Sequence, residues 1–210
     1  MPHILEKIGP VPVTTAVLSS FYPEVSNLNM KISSLEKNGE LIRLKRGLYV
    51  VAPDVSRTSL SSELIANHIY GPSYVSQMTA LRYYGLIPER VFIMQSMSIK
   101  HSKKFSNAFG VFVYSKIERE TFGIGVRSER FGKYSFLIAS PEKALCDVIA
   151  QTGNLQLRSR TDVIQFLEED LRLDMDAFAQ MNPQIFEDYA DAGGKKSSSI
   201  RMILNVLKNE

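Results

Sequence analysis

The sequence predicts an α+β chain: an N-terminal winged helix-turn-helix followed by a mixed α/β domain with a helical C-terminal end. Three observations predict it. The stretch Ser26–Val51 passes from a helical period to a strand period within one supersecondary unit. The middle of the chain alternates strand-like runs with helices. From Thr161 onward only helical patterns occur.

The first 55 residues contain the pattern in order. His3–Ile8 reads as a short helix stopped by Gly9-Pro10, and Val11–Val13 as a brief extended piece. Thr14-Thr15 opens a second helix that runs to about Phe21 and breaks at Tyr22-Pro23. In the third helix Leu28, Ile32 and Leu35 recur at i, i+4 and i+7, so one face is apolar while Asn29, Lys31, Ser33, Ser34 and Lys37 lie off it. Ser26 or Asn27 is suited to cap its start, because a short side-chain oxygen accepts from a free N–H of the first turn. Asn38-Gly39 supplies the stop, since glycine takes a left-handed cap without a Cβ clash. Ile42 and Leu44 then alternate with Arg43 and Lys45, the mark of a half-buried strand. Lys45-Arg46-Gly47 turns the chain and Leu48–Val51 returns. Three helices and a basic-tipped hairpin make a complete winged helix.

That pattern suits DNA. Asn29 matches an adenine edge, Arg43, Lys45 and Arg46 match phosphates or the minor groove, and Asn27, Lys31, Ser34 and Lys37 are further candidate DNA contacts of the third helix. Thr14 and Thr15, at a helix start, either bind one phosphate or simply cap the helix. A solvated helix beside an ordinary hairpin is the plainer reading of the same residues.

The linker is expected at Ala52–Arg57, giving domains 1–55 and 56–210. Beyond it, Leu60–Tyr70 reads as a helix ended by Gly71-Pro72, and Tyr74-Val75 as a short strand. Ser76 is expected to cap a helix to Tyr84, which Gly85 stops, and Arg90–Ile99 is a strand. Lys100-His101-Ser102-Lys103-Lys104 is expected to be a loop. It is either a solvated tip or a second nucleic-acid surface carried by Lys100, Lys103 and Lys104. Val111–Tyr114 and Lys133–Ala139 read as strands, with Gly123-Ile124-Gly125 as a turn, because the third glycine of a nucleotide loop is missing. Ser140-Pro141-Glu142-Lys143 has the Ser-x-x-Lys spacing of some acyl enzymes. Serine at the N-cap, proline at the first helical position and glutamate in the first turn explain it as a helix start. The remaining helices are Thr161–Leu171, Asp174–Met181 and Pro183–Tyr189. After a hinge-like break over Asp191–Lys196 comes Ser197–Leu207, whose stripe Ile200, Ile203, Leu204 and Leu207 docks on its own domain or on a partner.

Composition narrows the function classes. The 210 residues carry a net charge of +3. Residues 1–55 hold six basic and five acidic side chains, residues 56–145 twelve and six, and residues 146–210 seven and eleven. DNA contact at the N-terminus must therefore rest on placed residues rather than bulk charge. The single cysteine, Cys146, lies in an apolar helical pattern, as a small buried thiol does, and fits a reducing compartment. No apolar run reaches the roughly 18 residues of a membrane span. The start has no basic segment leading into an apolar one, so a cytoplasmic protein is expected. His3, His68 and His101 are not spaced for a metal site, and no Glu-x-Lys of restriction-type nucleases occurs. No enzyme, metal or cofactor is expected. The alternatives are a protein-interaction module using the last helix and, further off, a nuclease on the second domain.

Several of these stretches together resemble the AbiEi family, the regulator half of bacterial AbiE-type (type IV) toxin–antitoxin pairs. The matching blocks are Leu41–Tyr49, then Tyr74-Val75-Ser76 with Thr79-Ala80-Leu81 and Gly85-Leu86, then Ala139–Asp147, in the family's order. The resemblance implies a DNA-binding N-terminal domain that represses its own operon, with DNA contacts on Asn29, Lys31, Lys37, Arg43, Lys45 and Arg46. It also implies a C-terminal antitoxin domain that counteracts a nucleotidyltransferase-like toxin without a stable complex, in abortive infection by phage. Double-stranded operator DNA with repeated half-sites is the expected partner, and no membrane is.

Overall fold

The structure, a computed structural model, describes residues 4–208. His3, where the first helix was expected to start, lies outside them. A 3-10 turn (Ile4–Lys7) leads into β1 (Val13–Thr14), α1 (Thr15–Phe21) and α2 (Leu28–Lys37). The hairpin β2 (Leu41–Lys45) and β3 (Leu48–Val51) follows, and β1 pairs with β3 to complete an antiparallel sheet in the order β1-β3-β2. The local causes are those the residues dictate. The Thr14 hydroxyl accepts from the Val17 N–H and the Asn27 side chain from the Met30 N–H. Gly39 ends α2 at φ +73° and Gly47 turns the hairpin at φ +75°, both in the left-handed region where a Cβ is unfavourable.

The hairpin departs from simple alternation. Arg43 sits opposite Tyr49 but Lys45 opposite Leu48, so a bulge at Leu44 puts Arg43 and Lys45 on opposite faces. β2 keeps Arg43 exposed, whereas β3 is buried on both faces. Leu41, Tyr49 and Val51 join the N-terminal core with Leu5, Leu18, Ile32 and Leu35. Leu44, Leu48 and Val50, with Ile42 beside them, join the large core of the rest of the chain.

The expected linker is a packed helical turn, α3 (Pro53–Ser56), with proline at its first position. Val55 packs on the N-terminal core, and Arg57 pairs with Glu6 at 3.3 Å. Next come α4 (Ser62–Ile69), β4 (Ser73–Val75), α5 (Gln77–Tyr83), β5 (Ile93–Ser98), β6 (Lys103–Asn107), β7 (Gly110–Lys116), α6 (Arg119–Phe122), β8 (Val126–Phe131) and β9 (Tyr134–Ala139). The strands form one mixed sheet in the order β6-β7-β5-β4-β9-β8, parallel at β5/β7 and β4/β9 and antiparallel elsewhere. Lys103 and Lys104 are thus in an edge strand, not a loop. β8 is a strand the sequence pattern did not show. Gly123–Gly125 is a turn, as its glycines suggested. β4 is too short to pair along all of β9. The Asn67 side chain takes over as a strand would, accepting from the Leu137 N–H and donating to the Leu137 carbonyl.

The hairpin and α4 cover one face of this sheet. Asn107 donates to the Leu44 carbonyl at 3.1 Å, and the Tyr114 hydroxyl to the Ala66 carbonyl at 2.6 Å. The other face is covered by α7 (Pro141–Gln151), to which Tyr74 bonds. The chain ends in α8 (Arg160–Gln165), which continues as a π-helical turn to Asp170, then α9 (Met175–Ala179), α10 (Pro183–Asp191) and α11 (Ser197–Lys208). The break before α11 is not a free hinge. A Cβ on Gly194 would stand 2.3 Å from the Tyr189 ring, so glycine lets the turn close onto α10. Ile200, Ile203, Leu204 and Val206 of α11 are buried in the chain's own core.

Candidate nucleic-acid interface

The residues expected to meet DNA fall into three groups. Thr14 and Asn27 serve as caps, so their side chains already have backbone partners. Thr15 gives its N–H to the Gly47 carbonyl at 3.1 Å, tying the start of α1 to the hairpin turn. With the Val17 N–H taken by Thr14, two donors that a phosphate at this helix start would use are occupied.

A second group is engaged but near the surface. Arg43 makes a two-pronged contact with Glu36, Nε–Oε1 at 2.8 Å and Nη2–Oε2 at 2.6 Å, and lies over the Tyr49 ring. Lys31 has its ammonium 5.2 Å from the Tyr22 ring centre. Lys45, turned by the bulge toward the second sheet, donates to the Ile69 carbonyl at 2.6 Å.

The third group is open. Asn29, Ser33, Ser34 and Lys37 are exposed along α2, and Arg46 is exposed at the hairpin tip. Lys37 and Arg46 have no hydrogen bond or ion pair among the described residues. Met30 stands among them, 71 % exposed.

The second expected basic surface is divided. Lys100 and Lys103 gather with Lys45 around the neighbouring rings of Tyr70 and Phe105, whose centres are 5.7 Å apart with their planes inclined at 50°. Burial, then the like charges of Lys103 and Lys100, push the Lys45 ammonium below its ordinary pKa. Lys104, one residue on along β6, faces the opposite side of the strand from Lys103 and Phe105. Two of the three lysines therefore adjoin the hairpin and one does not.

A different polar cluster is sealed inside. Lys143 and Asp147 on α7 are both 0 % exposed, with Nζ 3.1 Å from Oδ1. The ammonium donates to the Thr121 carbonyl at 2.9 Å and lies 4.3 Å from the Tyr189 ring centre. Asp147 Oδ2 accepts from the Tyr74 hydroxyl at 2.9 Å and the Ser76 hydroxyl at 2.7 Å. Ser76 sits at the cap position of α5 but makes no capping bond there, because its hydroxyl is committed to this buried carboxylate. Burial raises the Asp147 pKa, while Lys143 and the three hydrogen bonds pull against it. The signal in the sequence was two opposite charges four residues apart in an otherwise apolar run, Lys143–Ile149. The Ser140 hydroxyl accepts from the Lys143 backbone N–H at 3.3 Å, as a cap does, while the Lys143 ammonium is held by Thr121 and Asp147.

Among the described residues no helix is long and apolar enough to cross a membrane, and no group of three or more His, Cys, Asp or Glu is placed to hold a metal ion. No protein-family model and no curated protein sequence matches this chain.

Proposed function

We propose that the N-terminal unit is a winged helix-turn-helix through which the chain binds double-stranded DNA, with α2 in the major groove and the β2–β3 turn on the backbone. The observation that carries this reading is the open face of α2, Asn29, Met30, Ser33, Ser34 and Lys37, together with Arg46 exposed at the hairpin tip. Groups left free in this way are available to base edges and phosphates. The order of a short helical turn, β1, α1, α2 and a hairpin is the one such units have. The partner is the chain's own operator, and the action is repression in the cytoplasm.

The resemblance extends the proposal to an antitoxin that counteracts a nucleotidyltransferase-like toxin. Two of the resembling blocks meet in the fold, since Tyr74 and Ser76 both donate to Asp147. No catalytic role is assigned.

A gel-shift titration tests the DNA reading, using the DNA just upstream of the chain's own gene, unrelated competitor and two salt concentrations. Tight, competitor-resistant binding is expected. Binding that vanishes with salt and ignores sequence would defeat the reading, since bulk charge alone gives that behaviour. Co-expression with a nucleotidyltransferase-like toxin tests the second part: restored growth is expected, and unrelieved toxicity would defeat it.

A further inference from the structure

The exposed face of α2 has an apolar centre. At about 100° per residue, Asn29, Ser33, Lys37, Met30 and Ser34 span an arc of about 140°. Met30 lies near the middle of that arc, in the first turn of α2. It is 71 % exposed, the most exposed of the large apolar residues among the described residues of the N-terminal unit. The other side chains of the arc are polar and none is acidic; Glu36, the one acid of α2, lies off the arc and is held by Arg43.

We infer that Met30 determines part of the sequence preference by packing on the C5-methyl group of a thymine in the major groove. The inference rests on the DNA-binding reading above. The first turn of a recognition helix is the part that reaches base edges. Of the four bases only thymine offers an apolar group in the major groove, and an unbranched thioether adapts readily to a small apolar knob. Asn29, the preceding residue, matches an adenine edge, so the pair reads adjacent A·T base pairs.

The test begins with a site that the protein selects from a pool of randomised duplexes. Each thymine of that site is then replaced in turn by deoxyuridine, which removes the methyl group and keeps the base pairing. The wild-type protein should lose about four-fold in affinity at one position per half-site, the worth of one buried methyl group. Met30→Ala should lose a similar factor on the thymine duplex and be indifferent to deoxyuridine at that position. Met30→Gln, which keeps the length and adds an amide, should shift the selected base toward adenine. Wild type that senses no methyl group, or Met30→Ala that senses it as wild type does, would overturn the role of Met30 and leave DNA binding standing. Wild type that selects no sequence would overturn both.

Discussion

The ammonium of Lys45 donates to the carbonyl of Ile69 at 2.6 Å, so one basic residue of the hairpin is fastened to the end of α4 while its neighbour Arg46 stands free. The two side chains should separate on substitution. Arg46→Ala is expected to leave the melting temperature unchanged, to weaken DNA binding evenly across sequences and to lower the salt slope by about one. Lys45→Ala should cost about 1 kcal/mol of stability, the usual worth of one such hydrogen bond, with little change in the salt slope. Melting curves and salt-dependent gel shifts on both variants check this. A lower salt slope for Lys45→Ala than for Arg46→Ala would reverse the assignment.

Glu36 holds Arg43 through both guanidinium prongs. Glu36→Gln should free that cation. Affinity for operator DNA at low salt is then expected to rise about three-fold or more, with the salt slope steeper by about one. Fluorescence anisotropy at several salt concentrations measures both. An unchanged slope would mean that Arg43 does not reach phosphate even when released.

The Lys143–Asp147 pair is wholly enclosed, so removing one partner leaves an uncompensated buried charge. Lys143→Met should cost about 3–5 kcal/mol in urea unfolding. Adding Asp147→Leu should recover much of that loss, because the remaining groups are then neutral. A double variant less stable than the single one would show that the hydroxyls of Tyr74 and Ser76 depend on the carboxylate more than the ion pair does.

Burial pushes the phenol of Tyr84 up to about 12 and those of Tyr74, Tyr114 and Tyr189 further still, from an ordinary value of 10.0. A raised folded-state pKa stabilises the fold fully below the unfolded value, and that stability is lost as pH rises past it. Stability is therefore expected to fall steadily above pH 10. In an absorbance titration of the nine tyrosines these four should ionise only as the chain unfolds. Ionisation of all nine in one step with the fold intact would contradict the burial.

The parts of the fold that were legible are those set by one or two adjacent residues. Asn27 as a cap, Gly39 as a stop, Ser140-Pro141 as a helix start and the glycine turn at Gly47 follow from local chemistry. What was not legible depends on partners far along the chain. The bulge at Leu44 turns Lys45 away from Arg43, and no local pattern announces it. β8 carries Arg127, Glu129 and Arg130 with few apolar positions, as an edge strand with solvent on one side allows. Ser76 looks like a cap because its strongest partner, Asp147, is 71 residues away. The open face of α2 was readable from period alone, whereas the engagement of Arg43 and Lys45 needed three-dimensional neighbours.

The hairpin's two-sided burial also bears on exchange of the N-terminal unit between proteins. Each residue of β3 answers to one core or the other, and none of the four is free to change with the exposed face of α2. A graft that moved residues 1–55 onto another body would carry an apolar stripe, Ile42, Leu44, Leu48 and Val50, in need of a matching bed. The recipient would need counterparts of Asn107, which holds the Leu44 carbonyl, and of Ile69, which holds Lys45. Under the proposed DNA-binding role, a new sequence preference is therefore expected to come more readily by altering α2 in place than by shuffling the whole head.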